Sequence, residues 1–333
     1  MPKSDHAHLN AHHIMSPRTR LVTVTPDMEV ADAISLLLKH RISGMPVEDE
    51  AGNYVGVFSE KCCLKVLQHT ANLVGDCCLP LPRAKDFMVT RLIDLHPEMD
   101  VFQAIEILVR NHISGAPVTD QHKRFLGSFS EKTSMSVLIH SVMDGLPTAN
   151  VERFMDRDPG RLIHEDTTLL DVAEIFIQTP YRRLPIVAGE RVIGQISRRD
   201  VLRSSRIIET ILKYQTEQAT EQSQMPGDQS TIFLNAHSQL PSTCVAAFMD
   251  TDAKTVNEET DLLTLADVFL NTPYRRFPVL RDGKIVGQVH RQDVLEKSLS
   301  LIEPESAKHQ GGLYISAITG NVPGPAIAAR HQV

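Results

Sequence analysis

The chain repeats itself four times, and this limits what it can fold into more than any other property of its 333 residues. Each copy opens on an apolar residue followed by Met: Ile14-Met15, Phe87-Met88, Phe154-Met155 and Phe248-Met249. After 29 to 31 residues comes a Pro that starts an apolar pair, at Pro46-Val47, Pro117-Val118, Pro185-Ile186 and Pro278-Val279. A Gly follows 9 or 10 residues later, at Gly56, Gly127, Gly194 and Gly287. A register kept through four copies points to one supersecondary unit used four times.

Within a unit the hydrophobic period switches in a fixed order. In the third, Leu162-Ile163 reads as a short strand. Asp166-Thr167-Thr168 caps a helix whose apolar face is Leu169, Leu170, Val172, Ala173, Ile175 and Phe176, and Pro180 stops it. Leu184 to Val187 and Arg191 to Ile196 read as a hairpin around Ala188-Gly189-Glu190, and Ser197 begins a second helix. The expected fold class is α/β (α+β), built from four βαββα units. A unit of ~55 residues is marginal as a lone core, so units must pack in pairs. Successive Pro landmarks lie 71, 68 and 93 residues apart, which groups repeat 1 with 2 and repeat 3 with 4. The expected boundaries are a flexible His-rich tail at 1–12, repeats at 13–72, 84–145, 151–205 and 244–300, a linker at 206–243 and a flexible tail at 304–333.

Composition excludes several function classes. The formal net charge of −7 argues against nucleic-acid binding, which wants a strongly basic surface. No run approaches the ~18 apolar residues of a membrane span, and the first residues hold no apolar signal core, so a cytoplasmic protein without a membrane partner is expected. Cys62-Cys63 and Cys77-Cys78 are vicinal pairs and Cys244 is alone, which is no disulfide framework. Neither these Cys with His69 nor His6, His8, His12 and His13 match a closed zinc pattern, so no metal is expected. Nucleophile-elbow, Walker and zinc-helix motifs are missing, so no enzyme is expected.

The apolar-Met opening, the Pro-Val or Pro-Ile strand and the Gly-x-apolar-Ser-x-x-Asp segment together resemble the CBS domain. The resemblance covers about residues 11–299 as four domains forming two Bateman modules. It implies that two βαββα domains pack by their sheets about a pseudo-twofold axis. It also implies two clefts per pair, often used for adenosine nucleotides, in a regulatory rather than catalytic protein.

Two motifs of repeats 3 and 4 carry candidate binding residues. Gly194-Gln195-Ile196-Ser197-Arg198-Arg199-Asp200 matches Gly287-Gln288-Val289-His290-Arg291-Gln292-Asp293. A carboxylate at Asp200 or Asp293 can accept both ribose hydroxyls, as at dinucleotide sites, and a helix N-terminus suits anions. Ser197 with Asp200 is equally a capping box, the acid satisfying backbone amides. His290 stands where the fourth copy lacks the hydroxyl. The second motif is Tyr181-Arg182-Arg183-Leu184-Pro185 with its twin Tyr274-Arg275-Arg276-Phe277-Pro278. Paired guanidinium forks match phosphate oxygens; the alternative is salt bridging across the pair. By the resemblance, Asp200, Asp293 and Ser197 hold ribose, Arg182, Arg183, Arg199, Arg275 and Arg276 hold phosphate, and Ile196 and Val289 flank adenine. Repeats 1 and 2 carry Cys62 and Thr133 at the acid position and no Arg pair, so they are expected to be mainly structural. The expected function is sensing of AMP, ADP or ATP in the cleft of repeats 3 and 4. A homodimer mate or an unidentified regulated protein would read it. The alternative is a ligand-independent oligomerisation or partner-binding scaffold.

Overall fold

The computed structural model describes residues 9–74, 81–144, 149–204 and 242–306. Cys77-Cys78 and most of the tails and of the 206–243 segment lie outside them. Repeat 3 shows the unit in full. Strand Ile163–His164 runs parallel to Arg183–Ala188, which pairs antiparallel with Arg191–Ser197. Helix Leu169–Gln178 is capped by the Thr168 hydroxyl, which accepts from the Asp171 N–H, and Arg198–Ser204 closes the unit. Leu169, Val172, Ala173 and Phe176 bury the face that the apolar period selects. Gly189 turns the hairpin at φ 60°, a conformation that costs Gly little.

The units pair differently from the spacing expectation. Repeat 1 pairs with repeat 4, and repeat 2 with repeat 3. Each unit lends its opening segment to the sheet of its pair-mate. Ser16–Pro17 pairs with Lys284–His290 of repeat 4, and Val57 and Asp250 exchange backbone hydrogen bonds of 2.9 and 2.8 Å. Val89 exchanges two with Gln195 (2.9 and 3.0 Å), and Ser128 two with Asp156 (2.8 Å each). The Met and Gly landmarks are the interlock. Met15 packs on Gly287, Met249 on Gly56, Met88 on Gly194 and Met155 on Gly127. A side chain at Gly56 would meet the Asp250 carbonyl oxygen at 2.8 Å, and one at Gly127 the Asp156 carbonyl oxygen at 2.9 Å.

Helices join the two pairs. Glu60–Val74 of repeat 1 packs on Leu169–Gln178 and Arg198–Ser204 of repeat 3. Glu131–Asp144 of repeat 2 packs on Leu262–Leu270 and Arg291–Ser306 of repeat 4. Two cores result, one shared by repeats 1 and 3 around Phe58 and Phe176, the other by repeats 2 and 4 around Phe129, Phe269 and Phe277. Burying each Phe contributes about 1.5–3 kcal/mol. The units therefore close a ring in the order 1–4–2–3.

Two boundaries also move. The helical turn Ala11–Ile14 begins two residues inside the tail expected at 1–12; Ala11 is fully buried and its N–H donates to the Thr260 carbonyl at 2.8 Å. The last helix runs to Ser306, through Pro304. Among the described residues no helix is long and apolar enough to cross a membrane.

Candidate functional site

Arg183 and Arg276 begin the central strands of repeats 3 and 4, and Arg182 and Arg275 precede them, so all four point along the contacts between units. Arg275 donates to both oxygens of Glu131, Nε at 3.0 Å and Nη2 at 2.8 Å. Arg182 lies 4.0 Å from Glu60, which also accepts from Nε of Arg199 at 3.1 Å. Glu60 and Glu131 are buried first residues of the last helices of repeats 1 and 2. Burial, and then the neighbouring Arg275 guanidinium, holds Arg182 and Arg183 below the usual range, and the same two causes draw Arg276 down to about 9. All stay cationic at neutral pH. Arginines outnumber the acids here, so the region concentrates positive potential inside an acidic chain.

Arg198 and Arg291 have another task. Arg198 Nη2 donates to the Phe176 and Thr179 carbonyls at 3.1 and 3.2 Å, and Arg291 Nη2 to those of Phe269 and Thr272 at 2.8 Å each. They satisfy the last carbonyls of the preceding helices. Burial draws Arg198 down to about 9 and Arg291 to about 10.

Both acids cap. Oδ2 of Asp200 accepts from the Ser197 N–H at 2.8 Å and the Ser197 hydroxyl at 2.6 Å. Oδ2 of Asp293 accepts from the His290 N–H at 2.8 Å and lies 3.1 Å from His290 Nδ1. Oδ1 of each accepts no hydrogen bond among the described residues.

Two hollows flank the 2·3 pair. The larger, about 510 Å³, is bounded by Ser130 and Thr133 of repeat 2 and by Arg161, Tyr181, Arg182 and Arg183 of repeat 3, and reaches Leu270, Pro273 and Arg291 of repeat 4. The smaller, about 180 Å³, is walled by Val89, Leu92, Ile93 and Ile113 of repeat 2 and closed by Arg183 and Asp200. Gly115, Arg183 and Gln195 line both. In the 1·4 pair, Arg276 instead donates to the Gly44 carbonyl and the Ser43 hydroxyl, both at 2.6 Å.

This arrangement corrects the expected cleft between repeats 3 and 4, because Asp200 and Asp293 sit in different pairs. Asp200 and Arg183 share a hollow with repeat 2. Asp293 caps in the 1·4 pair, and Arg275 is tied to repeat 2 and Arg276 to repeat 1. Ile196 and Val289 are fully buried in the helix-facing cores and do not line the hollows. Gln195, one position earlier and so on the opposite strand face, lines them instead. Arg161, stacked 4.2 Å over Tyr181, also escaped the sequence reading; its placement depends on the hairpin folding back beside the opening segment.

Sheet-paired βαββα units with exchanged opening segments and arginine-lined hollows between them define a repeat-built α+β class of protein. The family model of the CBS domain matches residues 11–69, 84–133, 151–206 and 245–300, and the chain belongs to this family. It is 30% identical over 148 residues to the chloroplastic CBS domain-containing protein CBSX1 of Arabidopsis thaliana, covering 36% of this chain and 62% of that protein, just under two thirds of its length. It is 20% identical over 295 residues to protein MJ1225 of Methanocaldococcus jannaschii, covering 83% of this chain and 95% of that one. Among solved structures it is similar to CBSX2 of Arabidopsis thaliana in complex with AMP, with 28% identity, 38% of this chain and 98% of that one covered, and a TM-score of 0.34.

Proposed function

We propose that the chain is a regulatory module that senses an adenine nucleotide between repeats 2 and 3. One observation carries this reading: a carboxylate with an oxygen to spare, Asp200, and a half-buried guanidinium, Arg183, close the same apolar-walled hollow. The lining suits adenine against Val89, Leu92, Ile93 and Ile113, ribose hydroxyls on Asp200, and phosphate at Arg183; Arg182 lines only the larger hollow, and Arg199, held by Glu60, lines neither. The AMP complex of CBSX2 supports an adenosyl ligand.

Signalling follows from the ring. Repeat 2 is fixed to repeat 4 and repeat 3 to repeat 1 through helices. A ligand that favours one mutual orientation of repeats 2 and 3 biases both outer units, by as much as its affinity differs between the two states. A second copy of the chain or a regulated protein reads that orientation. For the 1·4 pair the scaffold reading is favoured, because Arg276 is satisfied internally.

Titration calorimetry with AMP, ADP and ATP tests the proposal. At least one binds, and Asp200→Ala weakens it tenfold or more. Absence of binding by all three at millimolar concentration sinks the sensor reading.

A further inference from the structure

The larger hollow of the 2·3 pair has a different chemistry from the smaller one, and the difference lies in how two equivalent residues spend their oxygens. At the smaller hollow Asp200 caps with Oδ2 and keeps Oδ1. At the larger one the equivalent residue is Thr133. Its hydroxyl oxygen accepts from the Ser130 N–H at 2.7 Å and donates to the Ser130 carbonyl at 2.8 Å. That hydroxyl is committed to its own backbone, and it carries no charge with which to grip two sugar hydroxyls.

The anionic groups of the larger hollow are committed as well. Glu131 holds Arg275, Asp156 pairs with Arg161, and Asp158 accepts from the Tyr181 hydroxyl. Two half-buried cations face the space without an equivalent partner. Among the described residues, Arg182 has one carboxylate at 4.0 Å, and Arg183 reaches the Ser114 hydroxyl at 3.3 Å but makes no ion pair. Two partly desolvated guanidinium groups fit a phosphate dianion. A volume of about 510 Å³ leaves room for a body the size of a nucleoside.

We infer that the larger hollow takes a phosphate-bearing ligand without reading a ribose cis-diol, so that the two hollows of one pair select their ligands by different chemistry. The contrast rests on the ribose role proposed for Asp200; the phosphate site itself does not. Arg182 is the anchor peculiar to this hollow, and Arg183 is shared with the smaller one.

The test is calorimetry on the full chain carrying Asp200→Ala, with AMP and 2′-deoxy-AMP as probes. The two are expected to bind with affinities within threefold of each other. Adding Arg182→Gln weakens both at least tenfold. Adding Thr133→Asp, which installs the acid that repeats 3 and 4 carry, raises the preference for AMP at least tenfold; this gain decides the matter if the Arg182 variant does not fold. A preference for AMP above threefold in the Asp200→Ala chain overturns the inference, as does unchanged affinity in folded Arg182→Gln. If the wild type binds AMP and Asp200→Ala binds neither probe at millimolar concentration, the inference fails and the proposed ribose role stands. If Asp200→Ala binds AMP as tightly as the wild type, that role fails and the larger hollow stands.

Discussion

In the 1·4 pair the Arg276 guanidinium lies 2.6 Å from both the Gly44 carbonyl and the Ser43 hydroxyl; in the 2·3 pair Arg183 hydrogen-bonds, among the described residues, only to Ser114, at 3.3 Å. The sequences around these contacts are nearly the same: Tyr-Arg-Arg-x-Pro on one side, Ile-Ser-Gly on the other. One motif thus serves as an internal brace in one pair and as a cation turned toward a hollow in the other. A neighbouring position differs in the same sense. Tyr54 of repeat 1 donates its hydroxyl to the Ala253 carbonyl at 3.3 Å, binding repeat 4's opening segment, where repeat 2 has Phe125. Burial pushes the Tyr54 phenol well above its ordinary range, so it remains a donor. A phosphate-binding motif read from sequence therefore identifies cations, and their surroundings decide whether they are free to bind.

The strongest way to break this comparison is to unseat one opening segment at a time. Gly127→Val drives a side chain into the Asp156 carbonyl, and Gly56→Val does the same to Asp250. Each is expected to cost about 1–3 kcal/mol in urea unfolding. Nucleotide affinity should fall at least a hundredfold for Gly127→Val and less than threefold for Gly56→Val; equal losses would mean the two pairs are not functionally distinct. Next come the acids. Asp200→Ala and Asp293→Ala each lose a cap worth about 1 kcal/mol. By calorimetry only the first should weaken AMP tenfold or more, the second staying within threefold. The arginines sharpen the contrast from the stability side. Arg276→Met strands the Gly44 carbonyl and is expected to lower unfolding free energy by about 1–3 kcal/mol. Arg183→Met, with its single long contact, should stay within about 0.5 kcal/mol and lose ligand instead. The smallest effect concerns the exposed Lys85–Asp166 bridge between repeats 2 and 3, at 2.7 Å. The hydrogen bond from Lys85 holds the Asp166 carboxyl below its ordinary value of 3.8. The support it gives is complete above 3.8 and is lost as pH falls through the lower folded value. Melting curves of wild type and Asp166→Asn should differ slightly at pH 7, converge in strong acid, and converge in high salt.

The unit was legible in the sequence, and the partnership was not. Period and turn residues gave the hairpin of repeat 3 to within a residue at each end, Leu184 to Val187 against Arg183–Ala188 and Arg191 to Ile196 against Arg191–Ser197. The opening Met and the hairpin Gly stood out because each Met packs on a Gly of the paired unit. All four units carry the same two landmarks, so the pattern cannot say which Met meets which Gly. That choice rests on contacts of single residues far apart in the chain, such as Tyr54 with Ala253 and Arg276 with Ser43, which leave no periodic trace. For the site, Asp200 and the Arg pairs were visible as chemical types. Placing adenine on Ile196 slipped by one strand position, since strict alternation turns Ile196 to the core and Gln195 to the hollow.

Nesting repeats 2 and 3 inside repeats 1 and 4 sets an order of assembly on the ribosome. The inner two are complete once about residue 204 has emerged, and their contacts span fewer residues, 69 between Ser114 and Arg183 and 81 between Lys85 and Asp166. Repeat 1 must wait for residues roughly 190 to 230 positions downstream, as the separations of 199 between Tyr54 and Ala253 and 233 between Ser43 and Arg276 measure. Chains made from N to C terminus hold its apolar sheet edge unmatched for most of synthesis, a window for chaperone capture or for borrowing the last repeat of a neighbouring nascent chain.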